Sequence, residues 1–155
     1  MDNVLKETPV QDEFLENCVR NDRGTDLPPF TMVIFGGTGD LSQRLLMPSL
    51  YHLFAEERHI ANFSILGVGM SRFSDKDYRH FMKTAIMKFA AQHFEGGEYE
   101  KFSNHLFYQA ADIADENAYK TLCDRIAENL PKEGETNLLF YLAVPQKLLP
   151  LIVEN

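Results

Sequence analysis

Residues 30–42 read Phe30-Thr-Met-Val-Ile-Phe35-Gly36-Gly37-Thr38-Gly39-Asp40-Leu41-Ser42, and the fold turns on how that stretch divides. Phe30 to Phe35 is a compact apolar run, rich in β-formers and closed by two glycines, as a strand buried on both faces requires. A helical pattern begins at once, with Leu41, Leu45, Leu46, Leu50, Leu53 and Phe54 recurring at intervals of three and four. Pro48 falls inside it and lacks the N–H for its ladder bond, which predicts a kink or a division of the helix.

Downstream the same alternation repeats. Phe63 to Val68 is a second buried strand, and Ser74-Asp75 caps a helix predicted to run to about Phe94, with Tyr78, Phe81, Met82, Ile86 and Phe89 on one face. Gly96-Gly97 closes that region, and residues 95–100 read as a polar loop. His105 to Ala110 is a third strand, Glu116 to Leu130 a helix stopped by Pro131, Asn137 to Val144 a fourth strand, and Lys147 to Val153 the start of another helix. Parallel strands need crossovers of this length, so the order βαβαβαβα predicts an α/β fold: a Rossmann-like, doubly wound parallel sheet with helices on both faces. Residues 30–155 form that domain. Residues 1–29 read as a flexible arm and linker, where Val10, Phe14, Leu15 and Val19 line a short helical face before Pro28-Pro29. The pattern stops at Asn155 with strand four as an open apolar edge, which natural sheets avoid, so the domain reads as a truncated piece, incomplete at its C-terminal end.

Composition narrows the function. The 155 residues are 45% apolar and 12% aromatic, enough for one core. Fifteen Lys and Arg against 23 Asp and Glu leave a net charge of −8, with no basic run to bind nucleic acid or an anionic membrane. No apolar stretch reaches the roughly 18 residues of a membrane span, and the polar N-terminus is no signal peptide. Cys18 and Cys123 stand far apart in no metal-type spacing, which fits a reducing compartment and a cytoplasmic protein.

The chemistry sits in the loop after the first strand. Small residues at Gly36, Gly39 and Ser42 place Gly-x-x-Gly-x-x-Ser at a strand-to-helix turn. Gly36 allows the tight turn, Gly39 lets backbone approach an anion, and Ser42 lets the helix pack close to the strand. The helix N-terminus then offers N–H groups and partial positive charge to a pyrophosphate. Ile34 stands where the full dinucleotide fingerprint has its first glycine, so a plain tight turn is the competing reading. A P-loop is excluded because no Gly-Lys-Ser/Thr follows, and the absence of Tyr-x-x-x-Lys disfavours a short-chain reductase. At the end of the second strand an NAD site places Asp or Glu on the ribose 2′-hydroxyl. Here the segment is Gly67-Val68-Gly69-Met70-Ser71-Arg72, with no acid before Asp75. The Ser71 hydroxyl and the Arg72 guanidinium suit a 2′-phosphate, so NADP is favoured over NAD; a solvated loop arginine is the alternative. Asp40 suits either coenzyme contact or the first helical turn, and Arg44 either a phosphate or solvent.

Phe35-Gly-Gly-Thr-Gly-Asp-Leu41 followed by Arg44-Leu-Leu-Met-Pro-Ser-Leu-Tyr51 resembles the coenzyme loop of glucose-6-phosphate dehydrogenases, which read Phe-Gly-Ala-x-Gly-Asp-Leu-Ala-x-Arg-Lys-Leu-x-Pro-x-Leu-Tyr. Pro48 in the first helix is the specific mark. Leu66-Gly-Val-Gly69, Ser74-Asp-Lys-Asp-Tyr78, Tyr108 to Ile113 and Phe140-Tyr-Leu-Ala-Val-Pro145 extend the resemblance over about residues 30–155. It implies oxidation of glucose 6-phosphate to 6-phosphogluconolactone with NADP, the opening reaction of the oxidative pentose phosphate route, in a protein that is a homo-oligomer at full length. It implies that Gly36, Gly37, Thr38, Gly39, Asp40 and Leu41 form the coenzyme loop, and that Asp112 and Ile113 lie near the adenosine half.

Three positions depart from the family pattern. Met70 stands where the family's 2′-phosphate arginine falls, Leu45 replaces a lysine, and Pro145-Gln146 replaces Pro-Pro. The resemblance also puts the family's catalytic histidine, its substrate-phosphate residues and its Glu-Lys-Pro lysine beyond Asn155, so no catalytic residue is assigned. His52, His59, His80, His93 and His105 read as surface or packing residues, and Tyr51 and the Phe81–Phe89 stripe as core. Against the dehydrogenase reading stands a short Rossmann module that senses nucleotide or docks a protein on the strand-four edge.

Overall fold

The computed structural model describes residues 28–56, 62–129 and 137–155; the helical face at Val10 to Val19, Cys18 and His59 lie outside them. Strands β1 (Phe30–Phe35), β2 (Phe63–Gly69), β3 (Leu106–Ala110) and β4 (Asn137–Leu142) form one sheet in the order β3-β2-β1-β4. Every pairing is parallel, with Phe30 opposite both Phe63 and Asn137. Helices α1 (Met47–Ala55), α2 (Asp75–Phe89), α3 (Gly96–Ser103), α4 (Glu116–Asn129) and α5 (Leu149–Val153) connect them. Two apolar clusters flank the sheet. Ile34, Ile65 and Leu106 pack with Met47, Tyr51, Tyr78, Met82 and Phe102 on one face, and Val33, Phe35, Leu66 and Val68 with Leu122 and Ile126 on the other. The sheet is therefore doubly wound, and β1 and β4 part to opposite helical layers at its switch point.

Pro48 does divide the first helix. Residues Ser42–Leu46 form a π-turn, with the Met47 amide bonded to the Ser42 carbonyl, and a regular helix then starts with proline in its first turn. The wide turn spares the proline ring its clash with the preceding carbonyl. The same insertion rotates the face, which corrects the expected apolar stripe. Ser42, Met47, Pro48 and Tyr51 are buried, while Leu41, Leu45 and Leu53 are exposed. A period of 3.6 does not run through a π-turn.

Helix α2 begins at Ser74 in a full capping box: Ser74 Oγ and N donate to Asp77 Oδ2 at 2.6 and 3.2 Å, and the Asp77 amide donates to Ser74 Oγ. Those bonds hold the Asp77 carboxyl below its ordinary value of 3.8. The helix ends at Phe89, short of the expected Phe94, and Phe89 is exposed, not core. Residues 95–100, read as a loop, lie in the segment that forms α3, and α3 buries Tyr99 and Phe102. Two glycines at the start of this helix and its short length concealed it. Tyr51 ties it down: Tyr51 Oη accepts from the Glu95 amide at 2.9 Å, and its ring meets Phe102 edge-on at 5.5 Å.

Helix α4 is joined to this layer across the sheet edge by Arg125, whose Nη2 lies 2.6 Å from Asp75 Oδ2; Asp75 Oδ1 accepts from the Tyr108 amide at 2.8 Å. Strand β4 is the open edge expected, with Leu138, Leu139, Phe140 and Tyr141 exposed. No described helix is long and apolar enough to cross a membrane.

Phe102 carries the packing of α3, so Phe102→Ala lowers unfolding free energy by about 3–5 kcal/mol in urea titrations. A loss under about 1 kcal/mol contradicts a buried α3.

Candidate coenzyme site

At the C-terminal ends of β1 and β2 the chain comes closer to itself than side chains would permit. Gly36 has φ +82°, and a Cβ there would overlap the Ala143 carbonyl at the end of β4. A Cβ on Gly37 would lie 2.7 Å from the Gly67 Cα of β2. The two glycines thus fit the turn between its flanking strands, and Gly37 has the close-approach role that the fingerprint reading gave only to its neighbours. Gly39 is less constrained, its Cβ falling 3.1 Å from the Gly36 carbonyl.

Hydrogen bonds then fix the turn. The Gly36 and Gly37 amides both donate to the Val68 carbonyl at 2.9 Å. The Gly36 carbonyl accepts from the Gly39 amide and from Ser42 Oγ, each at 2.9 Å, so buried Ser42 anchors the helix start as well as sparing space. Gln43 Nε2 donates to the Thr38 carbonyl at 2.9 Å, and Tyr78 Oη donates to the Gly37 carbonyl at 3.2 Å from beneath. Burial, with Tyr108 and Tyr99 close by, pushes the Tyr78 phenol far above its ordinary 10.0, so this donor stays protonated at neutral pH. The helical backbone starts at Asp40. The Gln43 amide already donates to the Gly39 carbonyl at 3.1 Å, and the N–H groups that open a helix are those an anion site uses.

Beside this cradle runs an open groove of about 830 Å³ between the first helix and α2. It brings the carboxylates of Asp40 and Asp77 together with Arg44, Arg72, Lys76 and Lys88, and with His80. In a chain of net charge −8 that is a local excess of positive charge. Arg72 meets no carboxylate among the described residues, whereas Arg44 reaches Asp40 at 3.5 Å in an exposed pair worth little. Met70, 77% exposed, and Leu45, 62% exposed, present apolar side chains to solvent here. Sequence reading singled out Arg72 and Arg44 but not Lys76 and His80. They sit one turn apart at the start of α2, which spacing alone could have shown.

Asp112 and Ile113 stand apart from the groove. The Ala111 amide donates to the Gly69 carbonyl at 2.8 Å, which places them at the same end of the sheet. Asp112 Oδ1 accepts from the Ala114 amide at 3.0 Å, and Ile113 packs on the opposite face with Phe35, Val68 and Leu122. The described histidines behave as packing and surface groups: His105 stacks on Phe63 at 4.2 Å, and His52 meets His93 at 4.4 Å with the rings tilted. No group of three metal-ligating side chains occurs among the described residues.

The family model for the glucose-6-phosphate dehydrogenase NAD-binding domain matches residues 33–155. The chain belongs to the glucose-6-phosphate dehydrogenase family. It is 38% identical over 124 residues to the glucose-6-phosphate 1-dehydrogenase of Aggregatibacter actinomycetemcomitans, covering 79% of this chain and 25% of that protein. It is 37% identical over 130 residues to that of Chlamydia pneumoniae, covering 83% and 25%. Among solved structures, the Mycobacterium avium glucose-6-phosphate 1-dehydrogenase superposes with a TM-score of 0.69 at 27% identity, over 82% of this chain and 26% of that one. A glucose-6-phosphate dehydrogenase in complex with glucose 6-phosphate superposes at 0.72 with 26% identity, over 84% and 28%. The chain thus spans about a quarter of the length of the curated relatives it matches. Its sheet and helices have the fold of the family's NAD-binding domain.

Gly36→Ala forces a side chain into positive φ and onto the Ala143 carbonyl, and it lowers unfolding free energy by more than about 2 kcal/mol. Gly96→Ala, with open space around it, leaves stability level or higher. Equal effects in thermal melts contradict the tight turn.

Proposed function

We propose that this chain is the coenzyme-binding part of a cytoplasmic glucose-6-phosphate dehydrogenase that uses NADP to oxidise glucose 6-phosphate to 6-phosphogluconolactone, the first step of the oxidative pentose phosphate route. When bound, the nicotinamide accepts the hydride; everything this chain contributes is binding and orientation. The helix start at Asp40 and the glycine turn would receive the pyrophosphate, as backbone N–H groups and partial positive charge favour. Gly36 and Gly37 would shape that turn by fitting it between the ends of β4 and β2. Arg72, with the Ser71 hydroxyl, would hold the 2′-phosphate, and Lys76 and Arg44 would add positive charge along the groove. A chain that spans about a quarter of the length of its curated relatives would by itself bind coenzyme without turning substrate over. Turnover and homo-oligomer formation would belong to an enzyme of the relatives' full length.

The observation that carries the NADP preference is the end of β2: no acid stands there to meet a ribose 2′-hydroxyl, and Arg72 meets no carboxylate among the described residues in a groove of net positive charge. Binding of NADP and of NAD is measured by calorimetry with Arg72→Ala as control. NADP binds at least about tenfold more tightly, from a charge-assisted contact of about 1.5–3 kcal/mol, and Arg72→Ala removes the difference. Equal affinity for the two coenzymes in the unaltered chain contradicts the preference.

A further inference from the structure

Two tyrosines lie under the coenzyme loops, and their hydroxyls are treated differently by the fold. Tyr78 and Tyr108 pack at 4.8 Å between ring centroids, both buried. Tyr78 Oη has its partner, the Gly37 carbonyl. Tyr108, 4% exposed, has none: its hydroxyl is buried without a hydrogen bond. The side chain of Thr38 and the side chain and backbone of Ser71 stand near enough to offset part of the rise that burial gives its phenol, yet none meets the hydroxyl in hydrogen-bonding geometry. A Cβ on Gly69 would lie 3.0 Å from Tyr108 Oη and 3.1 Å from Thr38 Oγ1, so the bare Gly69 backbone is what lets these oxygens gather.

Thr38 belongs to the turn after β1, and Ser71 to the loop after β2. Tyr108 comes from β3 and stands below the seam between those loops. A buried hydroxyl with no partner costs stability, and native proteins retain few of them. The cost is recovered when the hydroxyl gains a partner.

We propose that Tyr108 is a positioning residue of the coenzyme site, whose hydroxyl gains its hydrogen bond with Thr38 and Ser71 only when a bound dinucleotide draws the two loops together. The proposal rests on the reading of this face as a coenzyme site. It makes the Tyr108 hydroxyl destabilising in the unliganded protein and stabilising in the complex. Thr38 lies at the pyrophosphate end, common to both coenzymes, so both lose affinity, and NADP, whose 2′-phosphate Ser71 would also meet, loses at least as much as NAD.

Tyr108→Phe removes the hydroxyl and keeps the ring. Its unliganded melting temperature is equal to or above that of the unaltered protein, while NADP and NAD each bind about 2- to 10-fold more weakly by calorimetry. Tyr78→Phe, which loses an existing bond to Gly37, melts at a lower temperature and serves as the control for a purely structural hydroxyl. A fall in the unliganded melting temperature of Tyr108→Phe overturns the proposal, as does unchanged affinity for both coenzymes. If the unaltered protein binds neither coenzyme, the coenzyme reading itself fails and the role of Tyr108 with it, an outcome distinct from a binding-competent protein indifferent to Tyr108→Phe.

Discussion

Everything at the functional end of this domain depends on how closely the turn after β1 approaches its neighbours. Strand β1 lies between β2 and β4, and its exit must pass between the backbones of both. Gly36 and Gly37 make that possible, one by positive φ against the Ala143 carbonyl and the other by contact with Gly67. The Val68 carbonyl holds both amides, and the Gly36 carbonyl in turn holds Ser42. Fixing Ser42 fixes the start of the first helix, which determines where backbone N–H groups point. Those groups suit a pyrophosphate without a charged side chain.

The apolar layer beneath supports that turn and couples it to the rest of the sheet. Tyr78 reaches the turn from α2, Tyr108 reaches the same level from β3, and Asp75 joins the β3 backbone to Arg125 of α4. Loss of packing under α2 therefore reaches the site through two tyrosines. The cationic groove lies along the outer side of the same helix, so packing inside α2 sets the spacing of Lys76 and His80 outside it. Membership of the glucose-6-phosphate dehydrogenase family, shown over residues 33–155, accords with this arrangement.

The parts legible in the sequence were those governed by short-range rules. Four apolar runs separated by helical lengths give the parallel sheet; a capping residue at Ser74 gives the start of α2; glycine at 36 gives the turn. Pro48 announced a divided helix, but not the π-turn that rotates Leu41 and Leu45 into solvent, because no periodicity survives an inserted residue. Helix α3 was hidden by Gly96-Gly97, whose low helix propensity is outweighed by burying Tyr99 and Phe102. Arg72 stood out as a candidate because no acid follows β2 before Asp75. The unpartnered hydroxyl of Tyr108 was not, since only the fold brings β3 beneath Thr38 and Ser71.

The central claim is that the glycine turn and the loop after β2 form one dinucleotide site. Backbone amide shifts of the isotopically labelled chain during titration with NADP test it most directly. The account predicts saturable shifts concentrated at Gly36 to Leu41 and at Gly69 to Arg72, with β4 residues Leu138 to Tyr141 little affected. Shifts concentrated on the β4 edge, with the glycine turn unchanged, would contradict it.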